Sequence, residues 1–491
     1  MKLDYRKTIL VGFAFFLISA FWQAYDAIVP LALTNHYGLE QWLSGAIMSL
    51  DNVIAVFMLP LFGAISDKFN SKYGRRTPFI FVGTVLAIVL FVILAVIDGA
   101  QASRIAATEI PDAYAAAEAL RDEAYAHIDA GKVQEGNLLL ERADELFKAI
   151  GESTYAVTKN NISSLVGFIG VLLLLLIAMA TFRSPAVALM PDVTIKPLRS
   201  KGNAIINLMG TAGGILVLAF GIVFATSKNL FNSYLGYVIA VVSLMAVGLL
   251  VFMLTVKEKK WAKKMEEDSE RFGLNEPIIQ SEIGEKRKLS KGERVSLLLI
   301  LASVALWYIG YNSITSKYSV YATNELGFDY NLTLIIAQAA AIVSYIPVGI
   351  ISSKVGRKKA ILAGIVMLAS AFLFGNFITP NSPEVLMYPI FILAGIGWAS
   401  INVNSFPMVV ELAKGGDVGK YTGYYYTASM SAQIVAPILS GALYTLISMR
   451  AVFFAFGTVF VAASFATMFF VKHGDSIPAR ISALESMGEN D

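Results

Sequence analysis

The sequence predicts an all-α membrane protein with twelve transmembrane helices in two six-helix halves. Three observations predict it. Of the 491 residues, 56% are hydrophobic and only 15% charged, whereas a soluble domain carries about 45–50% apolar and about 25% charged residues. The apolar excess needs lipid as its solvent. Twelve segments approach the roughly 20 mostly apolar residues that a bilayer crossing requires, and they fall as six, a polar stretch and six. Basic residues collect in alternate loops, as they do on the cytoplasmic side of membrane proteins.

Taken in order, Lys2, Arg6 and Lys7 precede an apolar run. The run exceeds a signal-peptide core and lacks a small-residue cleavage pattern, so it is expected as a retained first span. The expected spans lie near 8–34, 42–66, 78–98, 161–188, 202–226 and 232–256 in the N-terminal half (1–256). In the C-terminal half (295–473) they lie near 295–321, 331–353, 359–379, 385–410, 421–447 and 451–472. Lys68, Lys72, Arg75 and Arg76 follow span 2; Lys196, Arg199 and Lys201 follow span 4. Lys354, Arg357, Lys358 and Lys359 follow span 8, and Lys414 and Lys420 follow span 10. The opposite loops 35–41 and 380–384 carry no Lys or Arg. A multi-pass protein of the cell membrane is expected, with both termini cytoplasmic, including a tail over 474–491.

Two polar segments interrupt the spans. Residues 99–160, between spans 3 and 4, are rich in Ala, Glu, Asp and Leu. Ala and Leu favour helix and Gly opposes it. A small extracytoplasmic helical hairpin is expected, broken at Gly131 and Gly136. It is either a structural decoration or a lid or partner-binding cap. Residues 257–294 link the halves, and Trp261 to Phe272 form either an amphipathic helix on the inner membrane surface or a solvated linker.

Composition excludes several functions. The chain has no Cys, and His36, His127 and His473 are far apart in sequence. Neither a disulfide framework nor a Cys- or His-based metal site is expected. A net charge of +3 is too small to argue for nucleic acid. An integral-membrane enzyme is disfavoured because HExxH, Asp-rich metal motifs and GxSxG are absent.

Span 2 ends in GAISDKFNSKYGRRTPFI and span 8 in GIISSKVGRKKAI. Gly63, Asp67, Gly74, Arg75 and Arg76 in the first stretch are matched by Gly349, Gly356 and Arg357 in the second, at the same point of each half. Internal repetition of this kind builds many transporters, with substrate near the midplane between the repeats. Arg75 and Arg76 can pair with Asp67 and with helix C-terminal carbonyls, a latch that holds one access state, or else a simple positive-inside anchor.

The doubled signal resembles the cytoplasmic motif of the major facilitator superfamily. The longer first copy, with Pro78 and Phe79-Ile80 after the basic pair, is similar to the glycoside–pentoside–hexuronide:cation symporters and, over its whole length, to the sucrose transporters. The second copy has Ser353 in place of an acid, so a weaker latch is expected there. From the end of span 4 onward, Pro185, Asp192, Arg199 and Asn203-Ala204 resemble a second sucrose-transporter stretch. The resemblance covers most of the membrane region but not 99–160. It implies a major facilitator fold and secondary active transport.

An ionisable group inside a membrane helix is a functional candidate by default. Asp26 lies in span 1, Asp51 deep in span 2, and Arg183 and Asp192 toward the end of span 4. The resemblance to melibiose-type symporters implies cation-site acids on spans 1, 2 and 4. The resemblance to sucrose transporters implies Asp192 as the coupling acid. Asp51 or Asp192 is therefore expected to couple a cation, and a purely structural charge pair with Arg183 or Arg199 is the alternative. Sugar recognition combines hydrogen-bonding groups with aromatic platforms. The candidates are Trp22, Gln23 and Tyr25; Tyr308, Tyr311 and Asn312; Trp398, Asn402 and Asn404, just before Pro407; and Tyr425 and Gln433. Together they favour an uncharged polyol.

The expectation is a proton-coupled disaccharide or glucoside symporter of sucrose or maltose type, working as a monomer in the lipid bilayer. It needs no cofactor beyond the coupling ion, H+, with Na+ as the alternative. The rivals are an exporter of drugs or lipids with the same fold and a sugar sensor that no longer transports.

Overall fold

A computed structural model describes residues 3–195, 198–272, 289–412 and 418–474, with the side chains of residues 200, 353, 410, 418 and 419 left aside. Lys196, Lys414, the linker residues 273–288 and the expected tail beyond 474 lie outside the described residues. The described chain is helical and contains no strand. In order the helices are α1 (Tyr5–Leu31), α2 (Gln41–Met48), α3 (Leu50–Lys68), α4 (Thr77–Ala106), α5 (Ile110–Asp129), α6 (Val133–Asn160), α7 (Ile162–Val193), α8 (Arg199–Val223) and α9 (Leu235–Thr255). Then come α10 (Glu258–Arg271), α11 (Lys291–Thr315), the single turn α12 (Tyr318–Val320), α13 (Tyr330–Val355), α14 (Arg357–Gly375), α15 (Met387–Glu411), α16 (Val418–Leu446) and α17 (Met449–Phe469).

Among the described residues, twelve helical runs are long and apolar enough to cross a membrane. They are α1 with its π-helical extension Ala32–His36, α2 with α3, then α4, α7, α8, α9, α11, α13, α14, α15, α16 and α17. A helix pairs most of its backbone groups internally, which is what hydrocarbon demands. Pro60, Pro185, Pro347, Pro407 and Pro437 all sit inside these helices. Polar side chains mark several helix starts. Asp4 accepts the Lys7 N–H at 3.1 Å, and Ser290 with Glu293 forms a reciprocal capping box at the head of α11.

Between α4 and α7 stand the antiparallel helices α5 and α6. Gly131, at φ +81°, makes the turn between them. Gly136, expected as a breaker, lies inside α6 instead. A Cβ there would sit 2.7 Å from the Ala124 carbonyl, so its small size serves the crossing of the two helices. We call this side of the bundle the insert end; α1 begins at the opposite end.

The halves meet closely at the insert end. A Cβ on Gly45 would collide with the Pro437 carbonyl, and one on Gly441 with the Gln41 carbonyl. Small residues permit this backbone approach of α2 and α16. Asn35 and Asn324 exchange amide hydrogen bonds of 3.3 and 2.7 Å. Thr226 and Tyr330 share a hydroxyl bond of 2.6 Å. Lys317, fully buried, donates to Gln41 Oε1 at 3.0 Å and to Ser44.

Candidate functional site

A cavity of about 650 Å³ lies between the halves. From the N-terminal half α1 supplies Trp22, Gln23 and Asp26, α7 supplies Arg183, and α8 supplies Asn207 and Thr211. From the C-terminal half come Tyr311 and Thr315 of α11, Gln338 and Tyr345 of α13, and Trp398 and Asn402 of α15. Helical spacing explains the grouping: Trp22 and Asp26, Asn207 and Thr211, Tyr311 and Thr315, and Trp398 and Asn402 are each i, i+4 pairs on one face.

The walls are both aromatic and polar. Tyr311 stacks on Trp398 at 3.6 Å with ring planes 6° apart, and Tyr308 meets Trp398 edge-on at 5.5 Å. On the other side Trp22 packs edge-on against Phe21 and Tyr25, with the Arg183 guanidinium 5.6 Å from its ring centre. Gln338 donates to Gln23 Oε1 at 2.6 Å, joining the halves across the cavity.

Asp26 presents its carboxylate to this space. Asp51 stands within electrostatic reach of both Asp26 and Arg183. It occupies the first turn of α3, after the helix breaks at Ser49, and accepts the Asn52 N–H at 2.6 Å and its amide at 2.7 Å. A carboxylate is favoured at such a helix start. Two carboxyl groups, Asp26 and Asp51, and one guanidinium, Arg183, thus stand together beside the cavity.

Asp192 is elsewhere. At the end of α7 it accepts from Arg76 Nε at 2.8 Å and lies 3.3 Å from Arg75. Arg76 also pairs with Asp67 and donates to Ser66. Arg199 instead donates to the Pro191 and Thr194 carbonyls at 3.0 and 3.2 Å, closing the C-terminal end of α7. The second half repeats the arrangement. Arg357 pairs with Glu411, at the end of α15, at 3.0 Å. Glu411 is thus the counterpart of Asp192, while Ser353 stands in the sequence where the first copy has Asp67.

Glu258, on α10, completes the first cluster. It is 2% exposed and accepts from the backbone N–H groups of Arg75, Arg76 and Thr77 at 2.6, 2.9 and 2.7 Å, and from the Thr77 hydroxyl at 2.7 Å. Gly74, at φ +126°, opens the loop to it; a Cβ there would collide with the carboxyl carbon.

Sequence comparison agrees with this architecture. The Major Facilitator Superfamily profile matches residues 149–344 and 330–486, and an MFS/sugar transport protein profile matches residues 10–106. The chain belongs to the major facilitator superfamily. No curated protein matches the sequence. Among solved structures, superfamily-like similarity runs to an inward-open xylose transporter XylE from E. coli, at 12% identity and a TM-score of 0.59, covering 96% of this chain and 97% of that one. A point mutant of the nucleoside transporter NupG matches at 14% identity and 0.52, covering 94% and 99%. A POT family transporter in complex with 5-aminolevulinic acid matches at 12% and 0.59, covering 95% and 96%. At these identities the likeness is one of fold.

Within this superfamily fold the expected residues separate into three groups. Trp22, Gln23, Asp26, Arg183, Tyr311, Trp398 and Asn402 line the cavity. Tyr25, Tyr308, Asn312, Asn404, Tyr425 and Gln433 do not. Tyr25 is fully buried behind Trp22. Asn312, Asn404 and Gln433 bond carbonyls of their own helices, those of Tyr308, Ser400 and Ser429, at 2.8, 2.9 and 3.3 Å. Tyr425 bonds Ser405 at 2.9 Å. Helix α15 runs on through Pro407, which has no N–H to offer the carbonyl one turn earlier. Asp192 belongs to the loop cluster and not to the cavity. Asn207, Gln338 and Glu258 were not anticipated from sequence.

Proposed function

We propose that the protein is a symporter for a disaccharide or glucoside, coupled to a proton and working by alternating access of the central cavity. The observation that carries this reading is the combination in one cavity of flat aromatic faces, uncharged hydrogen-bonding groups and a carboxylate. About 650 Å³ falls within the roughly 300–1,000 Å³ typical of small-molecule sites. The stacked Tyr311–Trp398 pair and Trp22 offer platforms for the apolar faces of two pyranose rings. Gln23, Gln338, Asn207 and Asn402 offer donors and acceptors for hydroxyls. A drug or lipid exporter would not need this density of amides. Asp26 and Asp51, two carboxyl groups beside the single guanidinium of Arg183, are the groups that would take up the coupling cation. We place the termini and both Arg–carboxylate clusters on the cytoplasmic side of the cell membrane, because the basic loops collect there. One chain builds the whole cavity, which supports a functional monomer.

The test is proteoliposomes loaded with a pH-sensitive dye and given sucrose, maltose or lactose. Acidification with one sugar, lost in Asp26→Asn, supports the proposal. Sugar-dependent Na+ entry with no pH change would keep sugar symport and replace the ion. No response of either kind would overturn symport.

A further inference from the structure

The helices α5 and α6 contribute nothing to the cavity, yet they touch both halves. Their base is fixed in the N-terminal half. The Thr158 hydroxyl donates to the Tyr37 carbonyl at 3.0 Å, and Gln101 donates to Thr158 at 3.1 Å. Tyr114 packs edge-on against Phe231, 5.3 Å away. From this base α5 reaches three separate elements of the C-terminal half. Arg121 donates to the Asn324 carbonyl in the connection after α11. Arg450, in the first turn of α17, lies 4.1 Å over the Tyr125 ring. Asn381, between α14 and α15, donates to Asp129 at 3.1 Å.

The chemistry at the first contact is costly unless the contact is made. Arg121 is 4% exposed, and a buried guanidinium requires compensation. It receives this from Glu118 at 3.4 Å, from the Phe147 face at 5.0 Å and from the Asn324 carbonyl across the joint. Asn324 is also the residue whose side chain pairs with Asn35 between the halves. A decoration would need only its base. Instead, all three crossings fall at the end where α2 and α16 already meet backbone to backbone. Opening that end must break them together or carry the hairpin away from its base.

We propose that the α5–α6 hairpin is a strap that holds the insert end shut and biases the protein toward the arrangement in which the cavity is closed there. The proposal rests on alternating access only for naming what the strap controls. A contact made in one arrangement and absent from the other shifts their populations by its differential free energy. Losing the Arg121 crossing should raise the open population roughly tenfold, as for one charge-assisted hydrogen bond.

The experiment uses the full chain in nanodiscs. Because the sequence contains no cysteine, Asn232→Cys and Ile447→Cys can carry spin labels, one on each half, at exposed positions outside the strap. Distances are read in this background and with Arg121→Ala or Tyr125→Ala added. Tyr125→Ala removes the ring under Arg450 and leaves the Arg121 contacts with Glu118, Phe147 and Asn324 in place, so it remains informative if Arg121→Ala folds poorly. Growth of a longer-distance population in Tyr125→Ala, larger still in folded Arg121→Ala, is the expected result. An unchanged distribution in the folded variants overturns the strap. The distances need no sugar gradient, so a failure to transport sugar would count against the symport reading alone.

Discussion

Asp26 and Asp192 show how far position along a helix is from position in the fold. Asp26 faces the cavity because it shares a helical face with Trp22, whereas Asp192, at the end of α7, is held by Arg75 and Arg76. Asp26→Asn should therefore abolish uphill sugar accumulation while leaving downhill counterflow, measured with labelled sugar in vesicles. Trp398→Ala removes one ring of the 3.6 Å stacked pair. It should weaken sugar binding about tenfold, or about 1.4 kcal/mol, by calorimetry. Asp192→Asn should lower the melting temperature of the purified protein and leave the sugar Kd unchanged. Much of the cavity was legible where polar and aromatic residues crowd together, as in FWQAYD or WASIN. Asn207 and Gln338 stand in apolar helices without such company, and no one-dimensional signal separates them from packing amides. The amides of Asn312, Asn404 and Gln433 stand outside the cavity lining for the complementary reason. A helix carbonyl one turn back satisfies a membrane amide without any ligand.

Hydropathy made the twelve spans visible because lipid tolerates little else. The break at Ser49 and the π-helical turn at Ala32–His36 leave no mark in an apolar average. Glu258 escaped notice because it opens a lysine-rich stretch that reads as solvated, yet it folds back as an N-terminal cap for α4. Glu258→Ala would leave three N–H donors unsatisfied, and a loss of about 2 kcal/mol is expected, seen as a lower midpoint of thermal aggregation. Glu325, in the connection beyond α12, has its carboxyl pushed up from 4.5 to about 7 by burial, with Asp144 adding to the rise and Arg121 opposing it. Burial raises Glu118 and Asp144 as well. A folded-state pKa above the unfolded value means that docking is strongest below about pH 4.5 and weakens as pH rises through about 7. Amide exchange over 110–160 should accelerate across that window, and Glu325→Gln should flatten the dependence.

At the scale of the molecule, the two halves carry the same device at the same place: an arginine after the second helix of each half pairs with an acid closing the fourth. Asp192 and Glu411 are structural counterparts. Glu411 is visible in the sequence at the end of span 10, but nothing in one dimension pairs it with Arg357, 54 residues earlier. Two such clusters at one end, and backbone contact at the other, are the contacts that the proposed alternating access would make and break.

The glycine contacts of α2 and α16 have a consequence for controlling that motion. Gly45 and Gly441 oppose carbonyls at distances no methyl group can share, but only while the insert end is closed. A single carbon at either position is thus a wedge that opposes one conformer and spares the other, away from the residues that line the cavity. Gly441→Ala should enlarge the open population in the same spin-label measurement. Conformer preference and ligand chemistry would then be separately adjustable in one chain.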